Sequence, residues 1–286
     1  MSFAPLAGLR VLDLTSSLAG PTATAILAAL GADVVKVERP GAGDEARAWG
    51  PPFWEGGSAM FFAANAGKRS LALDLKAPRG AEVLLRLAGH ADVVVSSLRP
   101  GAAERLGVGA ETLRGRNPRL VHATIGAFGP SGPRAGEPGY DPLMQAAAGI
   151  MSVTGEPGRP PVRAGVSLVD IGTGVWAALA IVAAVHEGRG RTLDLSLYET
   201  ALALVPYQLA EVLAGAPPPG RSGTGFPSIV PYQVFAAADG ELMVVAGNDR
   251  LFARLCDALD LPDLARDERF ATNPLRVQNR DDLVPA

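Results

Sequence analysis

Residues 10–125 alternate between short apolar segments and helix-like segments, and this alternation constrains the fold more than any other feature of the chain. The apolar segments predict strands at 11–14, 32–37, 70–75, 91–95 and 119–124. The segments between them predict helices at 22–30, 79–88, 102–106 and 111–114. Pro21 suits the first turn of the first helix, and Gly31 is a natural end for it. Strands that alternate with helices in this way predict an α/β fold with a parallel sheet.

The chain after residue 125 is less regular, and its pattern changes near residue 216. The segment 216–222 begins with Ala-Pro-Pro-Pro-Gly and predicts a linker. The elements predicted around it are helices at 141–148, 199–213 and 251–259, a strand at 192–196, and a hairpin of 232–237 with 241–246 around Asp239 and Gly240. We therefore expect a large domain at 1–215 and a small domain at 223–286.

The charge and the cysteine content exclude several classes of protein. The 286 residues carry a net charge of −3, which does not favour a nucleic-acid partner. Because Cys256 is the single cysteine, the chain cannot form a disulfide framework or a multi-cysteine metal site, and it fits a reducing compartment. The three histidines, His90, His122 and His186, lack the spacing of metal ligands. We expect a cytoplasmic protein with no metal site.

The sequence predicts no contact with a membrane. Residues 9–13 match the first strand directly, so we expect no signal peptide. The longest apolar run, 171–185, is too short to span a bilayer and is rich in alanine and glycine. A buried core helix is therefore the preferred interpretation of that run.

The residues at the carboxyl ends of the predicted strands form a candidate binding site, since ligands of parallel sheets bind there. Most of them are polar or basic, as a phosphate and a ribose require: Ser16, Ser17, Leu18, Glu38, Arg39, Lys76, Ser97 and Arg99. The first strand-to-helix turn, 15–21, lacks a G-x-G-x-x-G pattern, which argues against a nicotinamide or flavin enzyme. The alternatives are an ordinary turn with a serine cap and, for Arg39, Lys76 and Arg105, solvated surface charge.

Asp170 is the strongest candidate for a catalytic residue. It lies among apolar residues, where an extended run meets a predicted helix. A partly desolvated carboxylate is a better nucleophile toward a carbonyl, and a helix N-terminus favours its ionised form. We expect Gly172 and Gly174 to leave room for a substrate. The alternative is that Asp170 only caps the helix, which the residues alone favour and which is compatible with catalysis.

Two further segments have both a functional and a structural interpretation. Tyr140 and Asp141 can orient a substrate or polarise its carbonyl, but Gly-Tyr-Asp-Pro is also typical of a turn. Gly223 and Gly225 can belong to a mobile lid or to an interdomain linker. The residues alone leave both questions open.

Several motifs follow one another in an order that is similar to that of a known family. The longest are Leu-Gly-Ala-Asp-Val-Val-Lys-Val-Glu-Arg-Pro-Gly-Ala-Gly-Asp at 30–44 and Asn-Ala-Gly-Lys-Arg-Ser-Leu-Ala-Leu-Asp-Leu-Lys at 65–76. The shorter ones lie at 9–15, 19–21, 99–101, 139–141, 154–155, 170 with 173–174, 231–232 and 239–240. As an ordered set they resemble the family III CoA-transferases, or CaiB/BaiF proteins, which include formyl-CoA transferase and carnitine CoA-transferase.

The resemblance implies a Rossmann-like large domain, a smaller second domain and two interlocked subunits, hence a homodimer. It implies that Asp170 attacks an acyl-CoA to form a mixed anhydride and then an aspartyl-CoA thioester, from which CoA passes to a carboxylic acid acceptor. It implies no metal and no redox cofactor. The positions that match the family's CoA contacts are Ser16, Ser17, Leu18, Arg39, Leu73, Lys76, Ser97, Arg105 and Tyr140.

The same fold hosts α-methylacyl-CoA racemases, which this chain also resembles, and they carry a histidine where this chain has Tyr140. Tyrosine is a poor base at neutral pH because its unperturbed pKa is about 10, so Tyr140 favours CoA transfer over racemisation. Relatives continue well beyond the position of Asp282, so we expect a short or incomplete small domain. An acyl-CoA-binding subunit without activity is the third hypothesis.

Overall fold

The computed structural model describes residues 3–286, and the parallel α/β sheet expected from the alternation is confirmed. The strands of this part of the chain are β1 (Arg10–Leu14), β2 (Asp33–Glu38), β3 (Phe53–Trp54), β4 (Gly57–Ser58), β5 (Arg69–Ala72), β6 (Val93–Ser96), β7 (Val121–Gly126), β8 (Arg191–Ser196), β9 (Tyr232–Ala237) and β10 (Gly240–Val245). 

The helices of the same residues are mostly short, and the longest is α8 with 20 residues. They are α1 (Ala19–Ala29), α2 (Ala59–Asn65), α3 (Pro78–Ala88), α4 (Ala102–Arg105), α5 (Ala110–Arg116), α6 (Asp141–Ala147), α7 (Ile150–Val153), α8 (Leu168–Glu187), α9 (Leu197–Ala203), α10 (Pro206–Leu213), α11 (Asp249–Ala258), α12 (Pro262–Arg266), α13 (Asn273–Gln278) and α14 (Arg280–Leu283). Short 3₁₀ helices cover Glu45–Ala48 and Glu268–Phe270.

Six parallel strands form the central sheet in the order β5-β2-β1-β6-β7-β8. Counted along the chain, these strands follow the Rossmann order 3-2-1-4-5-6, which reverses direction between β1 and β6. Val11 of β1 lies opposite Val34 of β2 and Val93 of β6, and each of the three is at most 1% exposed. Strands that are buried on both faces need such continuous apolar runs, which is why these strands could be predicted from the sequence.

Two predicted helices differ from the structure, and the strand predicted at 70–75 already ends at Ala72. The helix expected at 199–213 is divided into α9 and α10, because Pro206 has no N–H to continue the helical hydrogen bonds of α9. The first helix, α1, begins at Ala19 rather than at residue 22. Pro21 still lies in its first turn, where backbone N–H groups have no partner inside the helix.

Helix α8 packs closely against α1. A Cβ on Gly174 would lie 2.7 Å from Cβ of Thr22 and 2.9 Å from the carbonyl oxygen of Ala19, so only glycine fits. The expectation that Gly174 leaves room for a substrate is therefore wrong, since the space is filled by α1. A Cβ on Gly172 would meet Thr200 at 3.1 Å, which likewise leaves no room for a ligand.

The length argument against a membrane span also needs correction. Helix α8 has 20 residues with a mean hydropathy of 2.0, so by length and composition alone it is long and apolar enough to cross a bilayer. Core helices of soluble proteins pass the same test. The packing of α8 against α1 is typical of such a core helix, and the absence of a membrane contact stays a prediction.

The described chain divides into two compact units. The first runs up to Ile150 and resumes at Ala164–Ala214, and the second comprises Met151–Arg163 and Gly215–Ala286. The division predicted at 216–222 did not anticipate that 151–163 joins the second unit. The reason is local hydrogen bonding: the N–H of Gly223 donates to the carbonyl oxygen of Gly155 at 3.0 Å, and Arg221 donates to that of Arg159 at 2.6 Å.

The second unit contains the predicted hairpin, in which β9 and β10 pair antiparallel from Tyr232 opposite Val245 to Ala237 opposite Gly240. Its small core is built around Val230, Phe252 and Phe270.

Candidate active site

A cavity of about 800 Å³ opens at the carboxyl edge of the sheet, beside the point where the strand order reverses. The last residues of three strands line it: Leu14 of β1, Glu38 of β2 and Gly126 of β7. Ser97, directly after β6, completes this edge. The topology therefore places the cavity where ligands of open parallel sheets bind.

The cavity brings together most of the residues that the sequence singled out. The predicted site residues that line it are Ser16, Ser17, Arg39, Leu73, Lys76, Ser97, Tyr140 and Asp170. Leu18 and Arg105 do not line it. Leu18 is half-buried at the start of α1, whereas Arg105 is exposed at the end of α4, one residue before the lining residue Leu106. Arg99, which the strand-end argument also named, is a lining residue.

Asp170 is the third residue of α8 and is half-buried. Burial and, as the smaller cause, the nearby carboxylate of Asp141 together raise the pKa of its carboxyl group to about 7. The ionising effect expected from the helix N-terminus is therefore outweighed by desolvation and by a like charge. Such a carboxyl group exchanges its proton near neutral pH, as many catalytic carboxyl groups do.

Asp141, rather than Asp170, caps the first turn of α8. Its Oδ2 accepts hydrogen bonds from the backbone N–H of Val169 at 2.7 Å and of Asp170 at 3.1 Å. The N-cap residue of α8 is Ser167, whose side chain makes no capping bond. Asp141 thus satisfies the first turn of α8 from a neighbouring helix, and Asp170 is not the cap.

The Asp141 carboxylate is itself fixed. It is 2% exposed, and its Oδ1 accepts a hydrogen bond from Nε2 of Gln145 at 2.5 Å. The amide oxygen of Gln145 accepts the N–H of Ala164 at 2.8 Å. A turn was one of the two interpretations of Tyr140 and Asp141, but Asp141 begins α6. A glutamine four residues later is the signal that points to a side-chain pair on one helix face.

Glu38 cannot serve as the ribose-binding acid that often ends the second strand of such sheets. Its two carboxylate oxygens accept hydrogen bonds from Arg47, at 2.7 Å each, from Oγ of Ser70 and from the N–H of Asp44. Against the cost of burial, these bonds lower the pKa of Glu38 to about 2. The next residue, Arg39, is exposed at the cavity and donates two long hydrogen bonds of 3.4 Å to the carbonyl oxygen of Gly43.

The basic side chains around the cavity are Arg39, Lys76 and Arg99. Arginine can bind a phosphate through two parallel hydrogen bonds and can stack on an aromatic base, whereas lysine acts as a point charge. Tyr140 is 52% exposed and also lines the cavity. The arrangement thus combines a carboxyl group of near-neutral pKa with groups suited to a phosphorylated ligand.

The predicted lid residues lie in the second unit. The backbone of Gly223 has a φ of +59°, and a Cβ there would meet the carboxylate of Glu156 at 2.5 Å, so glycine is required. Oγ of Ser222 donates to the carbonyl oxygen of Gly225 at 2.6 Å. The lid stays a prediction.

Across residues 3–286, no group of three or more His, Cys, Asp or Glu side chains is placed to hold a metal ion.

Comparison with known proteins gives one consistent family. The model of CoA-transferase family III matches residues 6–286. The succinate–glutarate CoA-transferase of Agrobacterium fabrum is 43% identical over 96% of this chain and 72% of its own length. The human succinyl-CoA:glutarate CoA-transferase is 41% identical over 98% of this chain and 65% of its own length. The acetyl-CoA:oxalate CoA-transferase of Acetobacter aceti is 40% identical over 99% and 74%, respectively.

A solved structure supports the same assignment. A CaiB/BaiF family protein of Brucella suis superposes with a TM-score of 0.88 at 40% identity and covers 99% of this chain. This chain covers 77% of that protein. Across these relatives the chain spans about two thirds to three quarters of the length of the proteins that it matches.

Proposed function

Because this chain belongs to CoA-transferase family III, we propose that it moves CoA from an acyl-CoA to a free carboxylic acid, with Asp170 as the nucleophile. The observation that carries the proposal is the position of Asp170. It lines one cavity together with Arg39, Lys76 and Ser97, at the ligand-binding edge of the sheet. Membership of the family supports the reaction class, and the lining of the cavity supports the choice of residues.

In the proposed mechanism, the ionised carboxylate of Asp170 attacks the thioester carbonyl of the donor. The carbon–sulfur bond breaks, which leaves a mixed anhydride on Asp170 and CoA thiolate in the cavity. The thiolate then attacks the side-chain carbonyl of Asp170, so the donor leaves as a free carboxylate and an aspartyl-CoA thioester remains. The acceptor carboxylate attacks this thioester and displaces CoA thiolate, which leaves a second mixed anhydride between Asp170 and the acceptor. The thiolate then attacks the acceptor's carbonyl carbon, so the new acyl-CoA forms and the carboxylate of Asp170 is released.

Apart from Asp170, the protein's part in these steps is binding and orientation, and the proposed chemistry needs no resident metal or redox cofactor. We assign the CoA moiety to Ser16, Ser17, Leu18, Arg39, Leu73, Lys76, Ser97, Arg105 and Tyr140. Leu18 and Arg105 are the weakest members of this set, because neither lines the cavity. Arg99 is a cavity residue of the same charge, and we add it as a phosphate contact.

For the substrates, we propose dicarboxylic acids and their CoA thioesters. The names of the relatives pair succinate or succinyl-CoA with glutarate, and acetyl-CoA with oxalate. The test is to incubate the protein with succinyl-CoA and a panel of acids that includes glutarate, oxalate and monocarboxylates, and to identify the thioesters formed. Formation of glutaryl-CoA that depends on the acceptor supports the proposal. Hydrolysis alone, or no turnover with any acid, contradicts it.

Racemisation is the competing activity, since a carboxyl group with a pKa near 7 can also move a proton. The side chain at the position of the racemase histidine is Tyr140, which argues against it. Incubation of a 2-methylacyl-CoA in deuterated water separates the two. Transferase activity without deuterium in the acyl group supports the proposal, whereas deuterium incorporation that requires Asp170 shows a racemase. Tight CoA binding with neither reaction identifies a binding subunit.

We also propose that two copies of the chain associate. Ile171, Val175, Trp176 and Leu179 form an apolar stripe on α8 and are between 44% and 57% exposed. Contiguous exposed apolar surface of this kind favours an interface. Sedimentation analysis of Val175→Glu, with Val83→Glu on α3 as the control, tests this. A dimer lost only in Val175→Glu supports the stripe as the interface, and a monomeric wild type contradicts it.

A cytoplasmic location is the remaining proposal and fits the free, buried Cys256.

A further inference from the structure

The loop between β1 and α1 has no glycine at 15–18, yet side chains from elsewhere hold its backbone at almost every step. The N–H of Thr15 donates to Oδ1 of Asp13 at 2.9 Å, and its carbonyl oxygen accepts from Nζ of Lys36 at 2.8 Å. The N–H of Ser16 donates to Oγ of Ser97 at 3.0 Å. These contacts fix the backbone of Thr15 and Ser16, which line the cavity.

Ser17 needs the most support, because its φ of +70° lies in the left-handed region that L residues other than glycine rarely adopt. Its N–H donates to Oδ1 of Asp44 at 3.1 Å, and its hydroxyl donates to the carboxylate of Glu45. The same Oδ1 of Asp44 accepts the N–H of Ala46 at 2.9 Å. Asp44 therefore fixes the loop and the segment after β2 at once.

Two buried ion pairs stabilise this arrangement of the β1–α1 loop. Lys36 pairs with Asp44 at 2.8 Å, with side chains only 2% and 1% exposed. Lys68 pairs with Asp13 at 3.0 Å, with side chains 2% and 0% exposed. Oδ2 of Asp13 also accepts from Oγ1 of Thr24 on α1 at 2.6 Å. Buried pairs of this kind contribute little net stability compared with apolar replacements, so their presence calls for another role.

We infer that the Lys36–Asp44 pair is a positioning device, which holds the backbone of Ser16 and Ser17 in the shape that binds the acyl-CoA. The inference rests on the proposed function for the ligand. The Lys68–Asp13 pair anchors the same loop to α1. Charged side chains thereby stabilise in this chain a turn with positive φ, a conformation that glycine adopts readily in the glycine-rich turns of other nucleotide-binding sheets.

The test compares Lys36→Met, Asp44→Asn and the double variant with a surface control, Arg69→Met/Asp33→Asn, which removes an exposed pair of 2.7 Å. In the double variant no buried charge is left unpaired, but the buried carbonyl oxygen of Thr15 loses its donor, so the protein is expected to stay folded with a lowered Tm. Amide hydrogen exchange of the peptide that covers 14–20, in the protein without ligand, is expected to speed up at least tenfold. The Kd for CoA is expected to rise at least tenfold, with the control unchanged in both measurements.

Wild-type exchange and wild-type CoA affinity in a folded double variant would overturn the inference. If the double variant does not fold, Ser97→Ala, which removes only the acceptor of the Ser16 N–H, must increase exchange in the same peptide. If the wild type does not bind CoA, the proposed function is refuted. The inference about the loop is still tested in that case, because the exchange measurement needs no ligand.

Discussion

At the scale of single residues, Asp141 and Asp170 show how environment gives two similar carboxyl groups different roles. Asp141 accepts hydrogen bonds from Gln145 and from two backbone N–H groups, so it is fixed. Asp170 is desolvated beside it and has a pKa of about 7. The proposed nucleophile is therefore close to half ionised at neutral pH, and small changes around it alter its reactivity.

The pH dependence of activity follows from this pair. Only ionised Asp170 can attack, so kcat/KM is expected to rise with pH through about 7. In Asp141→Asn the like charge is removed while burial remains, so the apparent pKa is expected to move down but to stay above 3.8. Steady-state rates between pH 5 and 9 check this. An unchanged midpoint in Asp141→Asn would show that the two carboxyl groups do not interact. Asp74→Asn, a change at another cavity carboxylate, should leave the midpoint where it is.

At the scale of elements, the crossing of α1 and α8 connects the β1–α1 loop with Asp170. Gly174 lies directly on this crossing, one turn after Asp170, and touches Thr22 and Ala19 of α1. The two helices begin at the same cavity, which Ala19 and Gly20 of α1 and Asp170 of α8 line. A change in their distance therefore moves the proposed nucleophile relative to the loop.

Gly174→Ala is expected to lower both Tm and kcat, because its Cβ would lie under 3.0 Å from α1 and the helices must separate. We expect a loss of stability of about 1–3 kcal/mol, as for other overpacked cores. Gly115→Ala in α5 is the matched control, since a Cβ there meets no atom within 4 Å. That control should stabilise the protein by up to about 1 kcal/mol through helix propensity. Thermal melts and rates test both, and equal effects of the two changes would contradict the close packing of α1 and α8.

The sequence was sufficient for the elements whose signals are local. Valine runs such as that of β6 and the turn at Asp239 and Gly240 predicted strands and a hairpin that are present. The role of Gly174 was misjudged because the helix that fills its space is distant in the sequence. The cap was misassigned for the same reason: Asp141 precedes Val169 by 28 residues, and only the fold brings them together.

At the scale of the whole molecule, the chain has two units, and the second has a small core of its own. Arg276 is fully buried there, where it donates to the carbonyl oxygens of Val230 at 2.8 Å and Phe270 at 2.9 Å. Its guanidinium also stacks on the ring of Phe252. This residue type is seldom buried, so no sequence pattern predicted its place.

Arg276→Met is expected to destabilise the second unit by about 3 kcal/mol, because two buried carbonyl groups lose their donors. Arg266→Met, a change at an exposed residue of α12, should stay within about 0.5 kcal/mol of the wild type. Urea denaturation followed by a probe in each unit gives both values. Equal stabilities of the two variants would contradict the role of Arg276.

The central claim is that Asp170 carries CoA during the reaction, and intact mass tests it most directly. Wild type, Asp170→Asn and Asp74→Asn are each incubated with succinyl-CoA and other acyl-CoAs. The account predicts a hydroxylamine-sensitive gain of one CoA, less one water, on the wild type and on Asp74→Asn, but none on Asp170→Asn. An adduct that persists in Asp170→Asn, or no adduct with any donor although CoA binds, would contradict it.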